Sequence, residues 1–175
     1  MPITSSDIKF YLSVKTGSAG ASSAGTPSGS LGKYVSTTAI TTAVANNLFD
    51  DVSGAEAAAG MTDYRCIFIQ NDHATLTLQN CQVSIGSQTS GGGDISIALD
   101  NIATSAKGSA SAQAAEIANE TTAPSGTGAF GTSALNIGSL APGQVKAVWL
   151  RRVVGAGAGA TNDGVILNWT GDTAP

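Results

Sequence analysis

The sequence predicts an all-β fold, an antiparallel β-sandwich of immunoglobulin-like or jelly-roll-like form with an extended N-terminal arm. Six or seven short segments alternate apolar and polar residues, as half-buried strands do. Gly, Pro, Asn and Asp stand between these segments, and no convincing amphipathic helix interrupts them. This combination is typical of a two-sheet sandwich, and a small closed barrel is the competing architecture. We expect a sandwich domain over 61–175, preceded over 1–60 by a first strand, an arm and a transitional segment.

The first predicted strand covers 7–14 and is followed by the predicted arm. Ile8, Phe10 and Leu12 lie on one face of the strand and alternate with more polar residues. The next segment, 17–32, consists almost entirely of Gly, Ala, Ser, Thr and Pro. So little apolar surface does not offset the entropy cost of ordering a chain. We therefore expect either a flexible linker or an arm that becomes ordered on a neighbouring subunit.

The transitional segment has only weak helical signals. Ile40, Val44 and Leu48 have helix-like spacing, but the Thr and Asn residues around them argue against a helix. Residues 56–59 predict one helical turn, which ends at Gly60.

The segments 64–71 and 75–85 predict a hairpin with a bulge near Asn80, where the phase of the apolar residues shifts. In the expected register, Cys66 and Cys81 lie on a diagonal of ~7–8 Å, which is too long for good disulfide geometry. Both cysteines are therefore expected to be small buried residues.

Further strands are predicted at 94–100, 133–140, 145–154 and 165–171. Residues 141–144 (Ala-Pro-Gly-Gln) favour a type II turn. The last two strands are expected to pair as a terminal hairpin, with Trp149 and Trp169 as the largest core side chains. The stretch 101–133 is weakly patterned and offers one strand or helix candidate at 112–118.

The composition excludes several function classes. Of 175 residues only 20 are charged, the net charge is −4, and Ala, Gly, Ser and Thr together number 89. Such a chain has no broad basic field for nucleic acid, and no apolar run approaches the ~20 residues that span a bilayer. One His and two Cys cannot build a multi-His or multi-Cys metal site within one chain. We expect no cofactor, no metal, no nucleic acid and no membrane partner.

No catalytic constellation stands out, so we expect the protein not to be an enzyme. The single His, His73, lies in a predicted turn, and Asp50 and Asp51 are chain neighbours whose side chains diverge. The Gly-rich runs 90–94 and 155–161 lack phosphate-binding spacing and are expected to be close-packed loops at a subunit contact.

Arg151 and Arg152 are the charge pair of interest. On a strand, neighbouring side chains point to opposite faces, so we expect one to face water or a partner and the other to lie at the rim of the sheet. An ion pair between subunits and a phosphate contact are the alternatives.

Several segments together carry a resemblance. They are DIKFYLS (7–13), LFDDVSGAEAAAG (48–60), YRCIFIQN (64–71), LTLQNCQVSI (76–85), LAPGQVKAVWLRR (140–152) and the terminal NWTGDTAP. In combination they resemble a family of structural (virion) proteins of tailed bacteriophages and prophages, over most of the chain except 86–133. The resemblance implies a virion component that is present in many copies and is made in the bacterial host cytoplasm. It brings no catalytic residues with it.

These observations predict a head decoration or cement protein, a homo-oligomer that binds other virion proteins and above all the major capsid protein. An edge strand at 7–14 is expected to pair with a neighbouring sheet, and deletion of 1–33 to abolish particle binding while the sandwich still folds. The candidate contact residues are Ile8, Phe10, Leu12, Tyr34, Arg151 and Arg152. The alternatives are a tail or baseplate component, and a host-glycan-binding module with Tyr34, Trp149 or Trp169 stacked on a sugar.

Overall fold

The computed structural model describes residues 2–89, 93–159 and 163–173. Over these ranges the regular secondary structure is almost entirely β-strand, which confirms the predicted all-β, antiparallel class. The strands are β1 (Ile8–Val14), β2 (Tyr34–Ala39), β3 (Met61–Asn71), β4 (Leu78–Gln88), β5 (Gly93–Leu99), β6 (Ser105–Ala106), β7 (Leu135–Leu140), β8 (Gln144–Val154) and β9 (Val165–Thr173). The helical elements are a 3₁₀ turn (Pro27–Gly29) and α1 (Gly54–Ala59).

Two antiparallel sheets pack face to face. The large sheet has the order β2-β1-β3-β8-β5, with β6 also paired to β8, and the small sheet has the order β7-β4-β9. Buried apolar side chains fill the space between them, for example Ile67 and Leu150 from the large sheet and Leu78 and Val83 from the small sheet. The fold is therefore a β-sandwich.

The large sheet is also covered on its outer face. Phe68 and Trp149 point away from the small sheet and lie in a second buried cluster. Leu31, from the connection after β1, and Ile117, from the connection after β6, close this cluster. Burial on both faces explains why the strands at the centre of the large sheet read as nearly continuous apolar runs.

The segment 17–32 is held in place by hydrogen bonds to its own chain. The hydroxyl of Ser30 donates to the carbonyl of Cys66 at 2.5 Å, and the amide of Cys66 donates to the carbonyl of Ser30 at 2.8 Å. The amide of Ser13 donates to the same hydroxyl at 2.8 Å. Small side chains let the segment lie close to the sheet, and hydroxyls supply the hydrogen bonds that apolar contacts do not. This corrects the expectation of a flexible linker or an arm that needs a neighbouring subunit.

The prediction that 7–14 forms an edge strand is wrong. β1 is paired on both sides, and Tyr11 lies opposite Ala39 of β2 and opposite Phe68 of β3. Alternation identifies a strand but does not say which strands flank it. Because β1 and β2 belong to the large sheet, the sandwich includes residues 8–39, which the sequence predicted to lie before the sandwich domain.

Both predicted hairpins are also wrong. β3 pairs with β1 and β8, whereas β4 pairs with β7 and β9, so the connection between β3 and β4 passes from one sheet to the other. β8 and β9 are separated in the same way. Cys66 and Cys81 consequently lie in the two different core clusters, and both are free and buried, as expected.

The predicted bulge, helical turn and type II turn are confirmed by the structure. The bulge is confirmed, because Asn80 has φ 50° and the β4 register shifts around it. The helical turn is confirmed as α1, which begins with a capping box between Ser53 and Glu56 and ends at Gly60. In the 141–144 turn Gly143 has φ 72°, and the amide of Gln144 donates to the carbonyl of Ala141 at 3.0 Å, which fits type II.

Candidate interaction surface

The three β1 residues proposed to contact a partner belong to the core. Ile8 and Leu12 are each 4% exposed, and Phe10 is half-buried against the same cluster. All three point toward the small sheet. They therefore stabilise the sandwich and present little surface to another molecule.

Tyr34 lies half-buried at the start of β2. The ammonium group of Lys33 sits 5.5 Å from the centroid of its ring and also pairs with Glu116 at 3.4 Å. Of the two tryptophans proposed to stack on a sugar, Trp149 is completely buried and Trp169 packs half-buried against the inter-sheet core. Because it is completely buried, Trp149 cannot stack face-on against a sugar.

Arg152 belongs to an ion cluster in which Asp63, Arg65 and Arg152 are buried, whereas Asp50 and Glu120 reach solvent. Its Nη2 is 2.7 Å from Oδ2 of Asp63, and Nη2 of Arg65 is 2.5 Å from Oε2 of Glu120. Oδ1 of Asp50 lies 3.4 Å from Arg65 and 3.5 Å from Arg152, and so joins the two pairs. This cluster was not predicted from the sequence. The sequence nevertheless carries a sign of it, because Asp63 and Arg65 are in phase with the apolar face of β3 and so are expected to point into the core.

The cluster fastens the connection between β2 and α1 to the large sheet. Nη1 of Arg152 donates to the carbonyl of Asp50 at 2.7 Å, and Nε of Arg65 donates to the carbonyl of Leu48 at 3.1 Å. Both guanidinium groups lie over the ring of Phe49, with Cζ at 4.7 Å for Arg152 and 5.3 Å for Arg65. Burial raises the pKa of Asp63 against the opposing effect of Arg152. Because Asp63 and Arg65 are inaccessible to solvent, this cluster is structural.

Arg151 points to the opposite face of β8, as the two-residue period of a strand predicts. Its Nε donates to the hydroxyl of Ser96 at 3.1 Å, and its Cζ lies 5.1 Å from the centroid of the Phe130 ring. It lines a shallow open depression of about 560 Å³ together with Asp94 and Thr132. Arg151 is therefore a predicted contact residue that meets an open concave surface.

The single histidine is engaged in hydrogen bonds within the fold, and both cysteines are buried. Nδ1 of His73 accepts hydrogen bonds from the amides of Thr75 at 3.2 Å and Leu76 at 3.0 Å. Burial raises the pKa of the Cys66 thiol well above its usual value and that of Cys81 to about 12, which disfavours the reactive thiolate. Within the described ranges, no three side chains of the kinds that bind metals come together, and no helix is long and apolar enough to cross a membrane.

The Gly-rich runs are only partly described. Residues 90–92 and 160–161 lie outside the described residues. The described part of the second run packs against α1, where the amide of Gly157 donates to the carbonyl of Ala57 at 2.7 Å. This is a contact within the chain.

Both edges of the large sheet are capped. On β5, the backbone amide of Ile95 donates to Oε1 of Gln88 at 2.7 Å, and Nε2 of Gln88 donates to the carbonyl of Ile95 at 3.3 Å. Gly131 also exchanges two backbone hydrogen bonds with Ile97 of this strand. On β2, the amide of Val35 donates to Gln113 at 2.9 Å. The carbonyl of Val35 accepts from the amide of Gly20 at 2.7 Å. Another strand has little free backbone to pair with on either edge.

The small sheet differs, because β9 has an open edge. β9 pairs with β4 on one side, and among the described residues no other backbone segment pairs with its second side. Ile166, on the outer face of β9, is 57% exposed, the highest value among the large apolar side chains that the structure describes. The opposite edge of this sheet is irregular, since Gly138 of β7 has φ 84° and its amide is bonded to the side chain of Asn136. β9 is therefore the candidate interaction surface.

Comparison of the chain with models of protein families, with curated proteins and with solved structures gave no match.

Proposed function

We propose that the protein is a non-enzymatic structural subunit of a tailed-phage virion, a head decoration or cement protein that acts in many copies. The sequence resemblance described above supports a virion role. The structural observation that carries the proposal is the contrast between the capped edges of the large sheet and the open edge of β9. Natural sheets usually protect such edges, and an edge that is left open serves strand-to-strand assembly.

The mechanism differs from the arm-based one that the sequence suggests. Residues 17–32 and β1 are used within the domain, so they do not tie neighbours together. The assembly surface is instead β9, through which copies join. An oligomer that presents several capsid-facing surfaces gains avidity even when each contact is weak.

The test is to locate and count the protein on particles of the phage or prophage that encodes it. Gold-labelled antibody should decorate heads, and quantitative mass spectrometry should give roughly hundreds of copies per particle, as multivalent coverage of a lattice requires. Label on tails alone, with a few copies per particle, would place the protein in the tail or baseplate and overturn the proposal. Its absence from washed particles would overturn the virion role itself.

A pair of matched variants tests the surface. Ile166→Lys puts a charge on the open edge of β9, whereas Val44→Lys changes an apolar residue of similar exposure, 51% against 57%, away from the strands. We expect Ile166→Lys to lower the number of copies per head and Val44→Lys to leave it unchanged. Equal occupancy for both variants would contradict the role of β9.

A further inference from the structure

β9 lacks the usual features that protect an edge strand. Its residues 165–171 (VILNWTG) contain no charged residue and no proline. The irregularities in its pairing with β4 place the extra residues on β4, at Asn80 and at Gly86, so β9 itself runs without a bulge. Lys, Pro and bulges are the common means of keeping an edge strand from pairing with another chain. Over this span β9 has none of the three.

We propose that β9 of a second copy of this chain occupies this edge, antiparallel, about a two-fold axis at Asn168. The two small sheets then form one continuous sheet of order β7-β4-β9-β9-β4-β7. This inference rests on the proposed function only in taking β9 as the assembly surface.

The uncharged span of β9 sets the register. β9 begins at Val165. Toward its C-terminal end, Asp172 is charged, and the hydroxyl of Thr173 already accepts from the amide of Ile3 at 3.3 Å. The span available for uncharged pairing is therefore 165–171, and its midpoint is residue 168.

The occupant is a second copy because the span is complementary to itself. A two-fold axis perpendicular to the sheet places Ile166 of one copy opposite Thr170 of the other, and Leu167 opposite Trp169. Pairs of β-branched residues, and pairs of an aromatic with an apolar residue, stabilise neighbouring strands. Asp172 falls beyond the paired span, so like charges do not face each other. A charged peptide, in contrast, finds no complementary charge on 165–171.

Disulfide trapping tests both the contact and the register. Directly opposed residues of an antiparallel pair have Cα atoms about 4.5–5.5 Å apart, which lies within the disulfide range of roughly 4.4–6.8 Å. Cys66 and Cys81 are buried, so an introduced thiol on β9 reacts without competition from them. We expect Asn168→Cys to form a disulfide-linked dimer under mild oxidation, at least tenfold faster than Val44→Cys.

Two further variants serve as register controls. Ile166→Cys alone and Thr170→Cys alone should not cross-link, whereas an equimolar mixture of the two should, because these positions face each other across the axis. Cross-linking of Asn168→Cys at the rate of Val44→Cys would overturn the proposal. Strong links from Ile166→Cys alone or Thr170→Cys alone would overturn the register and hence the axis at Asn168.

Sedimentation equilibrium gives an independent measure on the full chain. Asn168→Lys places two like charges directly opposite each other, and we expect it to raise the dimer dissociation constant at least tenfold while its circular dichroism spectrum stays that of the wild type. A wild type that remains monomeric at millimolar concentration would overturn the inference. A dimer that is absent from particles would refute the proposed virion role and leave this inference standing. A monomer bound to heads would refute this inference, together with the joining of copies through β9, and leave the virion role standing.

Discussion

The indole Nε1 of Trp149 donates a hydrogen bond to Oδ2 of Asp100 at 2.8 Å, in the buried layer outside the large sheet. Trp149 is at the centre of β8, and Asp100 begins the long connection after β5. The same carboxylate accepts from the amides of Ala115 and Ile102, each at 2.8 Å. One side chain thus fastens the connection over 101–133 to the sheet that it covers.

Removal of the Asp100 carboxylate should destabilise the protein strongly. Asp100→Ala leaves the indole N–H and the amide of Ala115 buried without their acceptor, and the loss of hydrogen bonds to a charged group predicts a cost of about 3 kcal/mol. We expect the urea unfolding midpoint of Asp100→Ala to fall by the amount that corresponds to this cost, with the m value unchanged. Asp94→Ala, at an exposed position on β5, should change stability by less than about 0.5 kcal/mol. Similar values for the two variants would show that Asp100 does not hold the connection.

The ion pair between Arg152 and Asp63 should show strong energetic coupling. Arg152→Met leaves the buried carboxylate of Asp63 without its closest cation and should cost about 3–5 kcal/mol. The double variant Arg152→Met/Asp63→Leu removes both charges and should recover part of that loss. Urea unfolding of the two single variants and the double variant measures the coupling. Strict additivity would mean that the pair contributes nothing to the fold.

The sequence predicts where most strands lie but not which strands pair. Alternation places β1, β5 and β8 to within one residue of their observed bounds. Pairing depends on contacts between residues far apart in the chain. β3 lies between β1 and β8, and no local feature of its sequence favours β8 as its partner over β4, the next strand along the chain. The proposed deletion of 1–33 shows the consequence. It removes β1 from the middle of the large sheet, so the truncated chain should not fold.

The connections and the candidate surface were hard to predict for a related reason. Gln113 accepts from the amide of Val35, and Ser30 bonds Cys66, across large sequence separations that composition does not reveal. The opposite directions of Arg151 and Arg152 followed from the two-residue period of a strand. That β9 is open depends on what the other edges meet, so only the complete topology shows it.

The hydroxyl of Tyr11 gives a pH-dependent prediction. It donates to Oδ2 of Asp72 at 2.7 Å, and burial together with this hydrogen bond raises its pKa to about 12. A phenol with a raised pKa keeps its proton longer in the folded state, so its contribution to stability is complete below pH ~10 and is lost between ~10 and ~12.

Tyr11→Phe should therefore cost about 1 kcal/mol at pH 8, with the difference from the wild type shrinking above pH 10. Urea unfolding between pH 8 and 11.5 measures it. Tyr34→Phe serves as the control, because no hydrogen bond of its hydroxyl is present among the described contacts. A constant difference across this range for Tyr11→Phe would contradict the assignment.

Gly32 tests whether residues 17–32 are built into the domain. Its φ is 94°, and a Cβ at this position would collide with the carbonyl of Ala115 and approach Trp149 at 3.1 Å. Gly32→Ala should therefore cost about 3 kcal/mol or more, because backbone strain and a clash with main-chain atoms act together. Gly25→Ala is the matched control within the same segment, since a Cβ there meets nothing within 4 Å. It should leave the urea midpoint nearly unchanged. If Gly32→Ala were as harmless as Gly25→Ala, the segment would not lie against the sheet, and an arm that is free to reach a neighbour would again be the better description.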